Sequence, residues 1–352
     1  YTKQHFEERG FKKTGIINNE DIKWASYVLR KDIILPNIQS NQILLSNREL
    51  IELEKNQNTV LDEFFFSDKN QMVLTGGAGT GKTLLCNQVV EKLLNAEKKV
   101  LYLCFNKLLS IHLKKTFPNL EYLEISTLHS FMEKIIGKDQ LKNINKNDEY
   151  FKKTLPSLFE EKLLEDLDKL NNKFDALVID EAQDILNENL IAMLFEFIRG
   201  GFKNGIWFLS IDKNIQSEVY HNLDKSTLNK LENKEGSTTR TLFRNFRNPK
   251  KIAEKANSLY PKISLPKPSR EFSAFVRKFS FEENNQIKLL SDVIEELLAN
   301  GVKPFQITLL TFVSFRSSIL NDIEYLCNKK IENLNMYSNN ENTIYWSQIG
   351  SF

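Results

Sequence analysis

Eight consecutive residues have the types and spacing of a phosphate-binding loop, G-x-x-x-x-G-K-[ST]. Glycines let successive backbone N–H groups turn towards phosphate oxygens, a lysine supplies positive charge at the β- and γ-phosphates, and a threonine hydroxyl can ligate Mg²⁺. The alternative is a glycine-rich turn with a chance lysine, but an apolar run precedes the loop and helical spacing follows it. The sequence therefore predicts a site for a nucleoside triphosphate and Mg²⁺, formed by Gly76, Gly77, Ala78, Gly79, Thr80, Gly81, Lys82 and Thr83.

Two adjacent acids follow another apolar run, in the segment ALVIDEAQD at residues 176–184. Because parallel strands end at one edge of a sheet, we expect Asp180 to lie beside the loop and to help hold the Mg²⁺. Glu181, one residue further on, would accept a proton from the attacking water. The alternative is a helix N-terminus at which acids are favoured by the helix dipole.

With the motifs that follow them, these residues resemble the superfamily 1 helicases, on the UvrD/Rep-like side, over about residues 50–352. The resemblance implies that ATP is the nucleotide and that a glutamine before the loop reads the adenine. Gln57 fits this role better than the shorter Asn56 and Asn58, and better than Gln71, which adjoins the predicted strand. A polar residue that merely precedes a helix remains the alternative.

The resemblance also implies residues that respond to the γ-phosphate. Gln183 and Gln216 would read the phosphate state, although Gln216 is one residue further along than the family spacing places it. Phe246 would cover the adenine, and Arg247 would reach the γ-phosphate from a second core. Arg244 competes with Arg247, but the order Asn-Phe-Arg favours Arg247. A surface arginine in an ion pair is the remaining alternative.

A third set of residues resembles the family's nucleic-acid contacts. His129 could instead be a structural histidine, and Tyr220 an ordinary surface or core tyrosine. Aromatic stacking with local positive charge is how such a groove grips a single strand. The residues implied are Phe105, Asn106, Thr127, His129 and Tyr220.

Alternating strand and helix patterns predict an α/β fold, a RecA-like P-loop NTPase parallel sheet with helices on both faces, followed by a partial second RecA-like core. We expect an N-terminal extension over 1–50, a first core over 51–240 with a helical insertion at 131–173, and an incomplete second core over 241–352. The insertion would be a partial lid over the nucleic-acid path or a solvated pair of helices. In the second core, 273–281 is predicted as a strand and 314–327 as a helix. The final residues, 349–352, resemble the start of the family's fifth motif, so we expect a fragment whose natural chain continues.

The composition excludes a disordered tail protein, a collagen-like fibre and a small disulfide-rich protein. The 352 residues carry 41% hydrophobic and 27% charged residues and a net charge of +2, which is ordinary for a globular chain. No apolar run reaches the roughly 20 residues of a membrane span, and the three cysteines lie in apolar runs, as expected of a cytoplasmic protein. Because the charge is balanced, nucleic acid would have to bind in a local groove.

Two functions are compatible with these patterns. The first is an ATP-dependent helicase or translocase on single-stranded nucleic acid, with DNA as the expected strand, although no residue distinguishes DNA from RNA. The second is an ATP-binding switch or sensor subunit of a nuclease or phage-defence complex, which would not unwind. A small-molecule kinase fits the combined motifs poorly. By analogy, a nuclease domain or subunit is an expected partner, and the fragment alone should hydrolyse ATP weakly.

Overall fold

A computed structural model describes most of the chain beyond residue 54. The predictions for 1–50, Gln216, Tyr220, the strand at 273–281 and the final motif at 349–352 lie outside the described residues. The described residues are 55–117, 121–142, 144–147, 149–185, 187–212, 225–247, 250–259, 267–268, 285–311, 313, 315–334 and 340–348.

Strands and helices alternate along most of the described chain. The helices are α1 (Lys55–Phe66), α2 (Lys82–Asn95), α3 (Lys107–Thr116), α4 (Leu128–Ile136), α5 (Leu155–Glu165), α6 (Leu167–Leu170), α7 (Glu188–Glu196), α8 (Gly201–Asn204), α9 (Lys225–Glu232), α10 (Lys250–Leu259) and α11 (Gln286–Ala299). The strands are β1 (Gln71–Gly76), β2 (Val100–Cys104), β3 (Leu123–Thr127), β4 (Ala176–Asp180), β5 (Ile206–Ile211), β6 (Thr238–Leu242), β7 (Arg244–Asn245), β8 (Lys267–Pro268), β9 (Thr308–Thr311), β10 (Tyr325–Leu326), β11 (Lys329–Asn333) and β12 (Thr343–Gln348).

The six strands β1–β6 form one sheet in the order β3-β2-β4-β5-β1-β6. Every pairing in this sheet is parallel. One strand, β5, separates the strand before the phosphate loop (β1) from the strand that ends in the acids (β4). All six carboxyl ends therefore meet at one edge, where ligands of parallel α/β sheets bind.

Both faces of this sheet are buried, which is why its central strands are apolar throughout. Successive side chains of a strand point to opposite faces. One face packs on α1, α2 and α3 through residues that include Met72, Leu74, Tyr102, Val178 and Phe208. The other packs on α4, α5 and α7 through residues that include Val73, Leu103, Leu177, Ile179 and Trp207. The predicted fold class, a parallel sheet with helices on both faces, is confirmed.

The insertion at 131–173 forms part of the core. Its helix α5 buries Leu155, Phe159 and Leu163, each at most 4% exposed, and the ring of Phe159 stacks on Phe197, 5.8 Å away. The interpretation of this segment as a solvated helical pair is therefore wrong. The error arose because the exposed lysines and glutamates outnumber the few apolar side chains that carry the packing.

A second, smaller sheet has the order β10-β11-β12-β9. The predicted helix at 314–327 is wrong, since β10 lies within it and pairs antiparallel with β11. Cys327 and Asn328 connect these two strands with φ values of 50° and 58°. A two-residue hairpin turn of type I′ has positive φ at both positions, and asparagine tolerates it. The local turn therefore overrides the helical spacing.

The predicted domain boundary at 240/241 falls inside β6. This strand continues to Leu242 at the edge of the first sheet, beside β1, so the boundary is placed too early. Its sequence, TTRTL, is mostly polar because only one side of an edge strand is covered. Within the described ranges, no helix combines the length and the apolarity needed to cross a lipid bilayer.

Candidate nucleotide site and nucleic-acid edge

The phosphate loop connects β1 to α2 and depends on two glycines. Gly79 and Gly81 have φ values of 77° and 95°, in the left-handed region that favours glycine. A Cβ atom at Gly79 would collide with the side chain of Asn245, and one at Gly81 with that of Gln57. Because both neighbours pack directly on the backbone, the loop cannot accommodate side chains at these positions.

The two metal-ligand candidates, Thr83 and Asp180, are in hydrogen-bond contact. Thr83, in the first turn of α2, donates its hydroxyl hydrogen bond to Asp180 Oδ2 over 2.6 Å. Two adjacent oxygen ligands suit Mg²⁺, which usually takes one or two protein oxygens together with substrate phosphates and water. The donor set at Thr83 and Asp180 therefore fits the predicted ion.

Lys82 lies between two carboxylates. Its Nζ is 3.8 Å from Glu181 Oε1 and 3.8 Å from Asp212 Oδ2, and it donates to the carbonyl oxygen of Gly77 over 3.4 Å. The residue is only 5% exposed. A buried ammonium needs compensating negative charge, and here two acids that face the loop supply it.

Glu181 is held in an uncommon backbone conformation at the end of β4. Its φ and ψ angles are 54° and 49°, a left-handed geometry that is unfavourable for a residue with a Cβ. Burial raises the pKa of Glu181 to about 7, an effect opposed by Lys82 and reinforced by Asp180. A carboxyl group with a pKa near neutrality is suited to accept a proton.

The raised pKa of Glu181 predicts a pH-dependent stability. A carboxyl group whose pKa is higher in the folded than in the unfolded protein contributes stability that is present below its unfolded pKa and lost as the pH rises through about 7. We expect Glu181→Gln to raise the free energy of unfolding by roughly 1–3 kcal/mol at pH 8 and by little at pH 5. Urea unfolding of both proteins at the two pH values measures this. Equal gains at both would show that the charge of Glu181 is not the cause.

Gln183 links the two strands that end at the site. Its Nε2 donates to Glu181 Oε2 over 2.8 Å, and its Oε1 accepts from the backbone N–H of Asp212 over 2.9 Å. It therefore connects the base candidate after β4 with the residue after β5. In this structure it contacts the base candidate, and its role in reading the phosphate state stays a prediction.

Residues 244–247 lie directly on the phosphate loop. The backbone N–H of Phe246 donates to the carbonyl oxygen of Gly79 over 2.8 Å. The buried Asn245 accepts from the backbone N–H of Arg247 over 3.0 Å. This segment follows β6 at the edge of the first sheet and is hydrogen-bonded to the phosphate loop, whereas the approach of Arg247 from a second core stays a prediction.

Two cavities meet at Gln57 and Phe246. The first, of about 350 Å³, is lined by the loop from Ala78 to Leu84 and also by Glu181 and Arg247. The second, of about 340 Å³, has an apolar and charged wall that includes Arg244 and an ion pair between Glu63 and Arg240. Arg247 thus faces the phosphate side, whereas the competing Arg244 faces the other cavity. Gln57 itself donates to the carbonyl oxygen of Thr80 over 3.0 Å.

The first nucleic-acid candidates lie at the same sheet edge, after β2 and β3. Phe105 is 43% exposed, and its ring meets that of His129 edge-on at 5.8 Å. His129 in turn contacts Phe151, from the insertion, at 4.9 Å. Burial lowers the pKa of His129, which favours the neutral imidazole. Its surroundings suit a structural support for Phe105 as well as a contact residue.

Two further nucleic-acid candidates that the structure describes, Asn106 and Thr127, cap helices. Asn106 accepts from the backbone N–H groups of Leu108 and Leu109 at the start of α3, over 2.7 and 3.2 Å. Thr127 accepts from the backbone N–H of Ser130 at the start of α4, over 3.2 Å. Such caps stabilise a helix start by about 1 kcal/mol. Helix capping therefore explains the residue types at these two positions, in addition to the predicted contact with nucleic acid.

Sequence reasoning missed several residues that the structure brings to the site. Asp212 neutralises Lys82, Asn245 packs on Gly79, and Ser210 hydrogen-bonds Asp180. A polar residue inside the apolar strand β5 was the available signal for Ser210. Asn245 belongs to the Asn-Phe-Arg motif, which was used only to choose between the two arginines. Its contact with Gly79 could not be predicted from spacing, because the two residues are 166 positions apart in the sequence.

One protein family matches part of the chain. Residues 63–202, less than half of the chain, match the family described as AAA domain. No curated protein was found to match the sequence. The match and the sheet topology confirm the predicted P-loop NTPase fold.

Several solved structures are distantly similar. Bacteroides Pif1 bound to ssDNA has 15% identity over 79% of this chain and 57% of that chain, with a TM-score of 0.39. The Pif1 helicase from Candida albicans has 16% identity over 70% and 55%, with a TM-score of 0.38. Domain III of the Thermotoga maritima replication initiation protein DnaA has 16% identity over 60% and 72%, with a TM-score of 0.31. The chain spans about half the length of the Pif1 chains that it matches.

Proposed function

We propose that this chain is the ATPase portion of a superfamily 1 helicase or translocase that moves along single-stranded nucleic acid, with DNA as the strand. ATP would bind with its phosphates in the loop cavity and its base in the second cavity, near Gln57 and Phe246. In this assignment the nucleotide occupies both cavities, and its phosphates lie beside Lys82 and the two acids that face it.

The chemistry follows from the positions of the side chains. The ammonium of Lys82 would neutralise the β- and γ-phosphates, and Glu181 would accept the proton of the attacking water. Thr83 and Asp180 would hold Mg²⁺, which supplies charge neutralisation on the phosphate oxygens. Arg247 would add a fixed positive charge at the γ-phosphate. The structural change that follows release of phosphate would be transmitted to β5 through Gln183, which accepts a hydrogen bond from the backbone N–H of Asp212.

One observation carries the link to nucleic acid: β2 pairs with β4 so that Cys104 lies opposite Asp180. The exposed Phe105 therefore follows β2 at the same sheet edge at which the acids follow β4. A change at the nucleotide can reach this surface through two adjacent strands. Stacking of bases on aromatic rings is tolerant of sequence, as a translocating protein requires.

Phe105→Leu tests the proposed strand contact. Leucine keeps an apolar side chain but removes the ring, and stacking of one base contributes roughly 1–3 kcal/mol. We therefore expect affinity for a fluorescent oligo(dT) to fall about 5- to 150-fold, with ATP binding unchanged. Phe66→Leu is the matched control, because Phe66 is 85% exposed and ends α1, the helix that precedes β1. An equal loss in both variants, or none in Phe105→Leu, would argue against the contact.

Strand displacement distinguishes a motor from a switch. The protein should be tested on a forked duplex with ATP and Mg²⁺, in parallel with a measurement of ATP hydrolysis. Displacement that depends on ATP supports the helicase. Hydrolysis that oligo(dT) stimulates without displacement supports translocation alone, and nucleotide binding that no nucleic acid affects supports the switch or sensor.

A further inference from the structure

Ser210 lies inside the sheet, next to the carboxylate proposed to hold Mg²⁺. It is completely buried in β5, within the apolar sequence IWFLSI. Ile179 of β4 pairs with Leu209 of β5, so Ser210 and Asp180, the next residue on each strand, point to the same face. A buried hydroxyl is unfavourable unless it is hydrogen-bonded, and this one has two partners.

The hydroxyl of Ser210 makes one donated and one accepted hydrogen bond. It donates to Asp180 Oδ1 and accepts from the backbone N–H of Glu181 over 3.3 Å. A hydroxyl has one proton to donate, and here that proton goes to the carboxylate. Ser210 therefore contacts both the metal-ligand candidate and the backbone of the base candidate.

The two oxygens of Asp180 have different surroundings. Oδ1 accepts from Ser210, from the N–H of Glu181 over 3.1 Å and from the thiol of Cys86 over 3.8 Å. Oδ2 accepts from Thr83, in the phosphate loop. The donors on Oδ1 orient the carboxylate so that Oδ2 faces the loop. Without Ser210, Oδ1 would lose its only hydroxyl donor among the described residues.

We propose that Ser210 is a positioning residue that orients Asp180 for Mg²⁺ bound with ATP. Removing a residue that hydrogen-bonds to a metal ligand typically lowers the affinity for the metal by 10- to 100-fold. The inference rests on the proposed ATP site and adds a residue on a neighbouring strand to it. It also gives a reason for a polar residue at a position where an alanine would fill the space.

The test separates binding of nucleotide from binding of metal. A fluorescent ATP analogue is titrated into the full chain in EDTA and then across a range of Mg²⁺, and bound Mn²⁺ is followed by electron paramagnetic resonance. For Ser210→Ala we expect unchanged affinity in EDTA, but a midpoint in Mg²⁺ about 10- to 100-fold higher. Ser210→Cys should be intermediate, because a thiol is a weak donor.

Controls distinguish this from a loss of structure. Ser126→Ala makes the same substitution at another buried residue, in β3, two strands away from β4, and should leave the Mg²⁺ midpoint unchanged. Melting temperatures without metal show whether each variant folds. An unchanged midpoint in Ser210→Ala, or an equal loss of affinity in EDTA and in Mg²⁺, would overturn the positioning role. If the wild-type chain bound no ATP analogue at all, the proposed function itself would fail.

Discussion

Lys82→Ala should reduce ATP hydrolysis by about 10²- to 10³-fold, the usual effect of removing one group that stabilises charge in the reaction. Lys82 is the buried cation of the loop, and two acids hold it there. Its removal would leave Glu181 and Asp212 facing each other and the phosphates without a counter-charge. We therefore expect the affinity for ATP to fall as well. A phosphate-release assay and titration with a fluorescent ATP analogue measure the two effects separately.

The control for Lys82→Ala is Lys92→Ala in the same helix. Lys92 is exposed in the last turn of α2, where its Nζ lies 5.1 Å from the centre of the Phe65 ring. Its removal should leave hydrolysis close to that of the wild type. Hydrolysis that survived Lys82→Ala would mean that the loop is not the phosphate site.

Glu181→Gln should stop hydrolysis while preserving ATP binding. Glutamine has nearly the same shape and can hydrogen-bond, but it cannot accept a proton from water, and general-base catalysis typically contributes 10²–10⁴-fold. We expect kcat to fall by about this factor. Affinity for ATP should be equal or higher, because a negative charge close to the phosphates is removed.

The matched control for this variant is Glu188→Gln, at the start of α7. Glu188 is exposed and pairs with Lys230 on the surface, so neither hydrolysis nor binding should change. If Glu181→Gln lost binding and hydrolysis together, Glu181 would be a structural residue. If hydrolysis continued, another group would be the base.

Most of the fold could be predicted from apolar runs and motif spacing. Strands such as β2, β4 and β5 are buried on both sides, and their uninterrupted apolar sequences have no other explanation in a globular chain. Edge strands are harder: β6 contains Arg240 and three threonines, so the first sheet was expected to end before it did. The hairpin at Cys327 and Asn328 was missed because this two-residue turn contains no glycine, the residue that most clearly marks such turns in a sequence.

Only those site residues that belong to recognisable motifs could be predicted from the sequence. The loop, Asp180 and Glu181 are adjacent to strands whose order the sequence implies. The contacts of Ser210 with Asp180 and of Asn245 with Gly79 depend on the register of neighbouring strands and on how segments pack, which spacing along the chain does not determine. His129 contacts both Phe105 and Phe151 for the same reason, since the insertion packs into the core.

In the proposed function, one sheet edge couples ATP hydrolysis to single-stranded nucleic acid. The most direct measurement is the steady-state rate of ATP hydrolysis with and without oligo(dT), with Lys82→Ala as the background. We predict that oligo(dT) raises the rate of the wild-type chain above this background, and that Phe105→Leu requires more oligo(dT) for the same increase. A rate equal to that of Lys82→Ala under both conditions, or a rate that oligo(dT) leaves unchanged, would rule out this coupling.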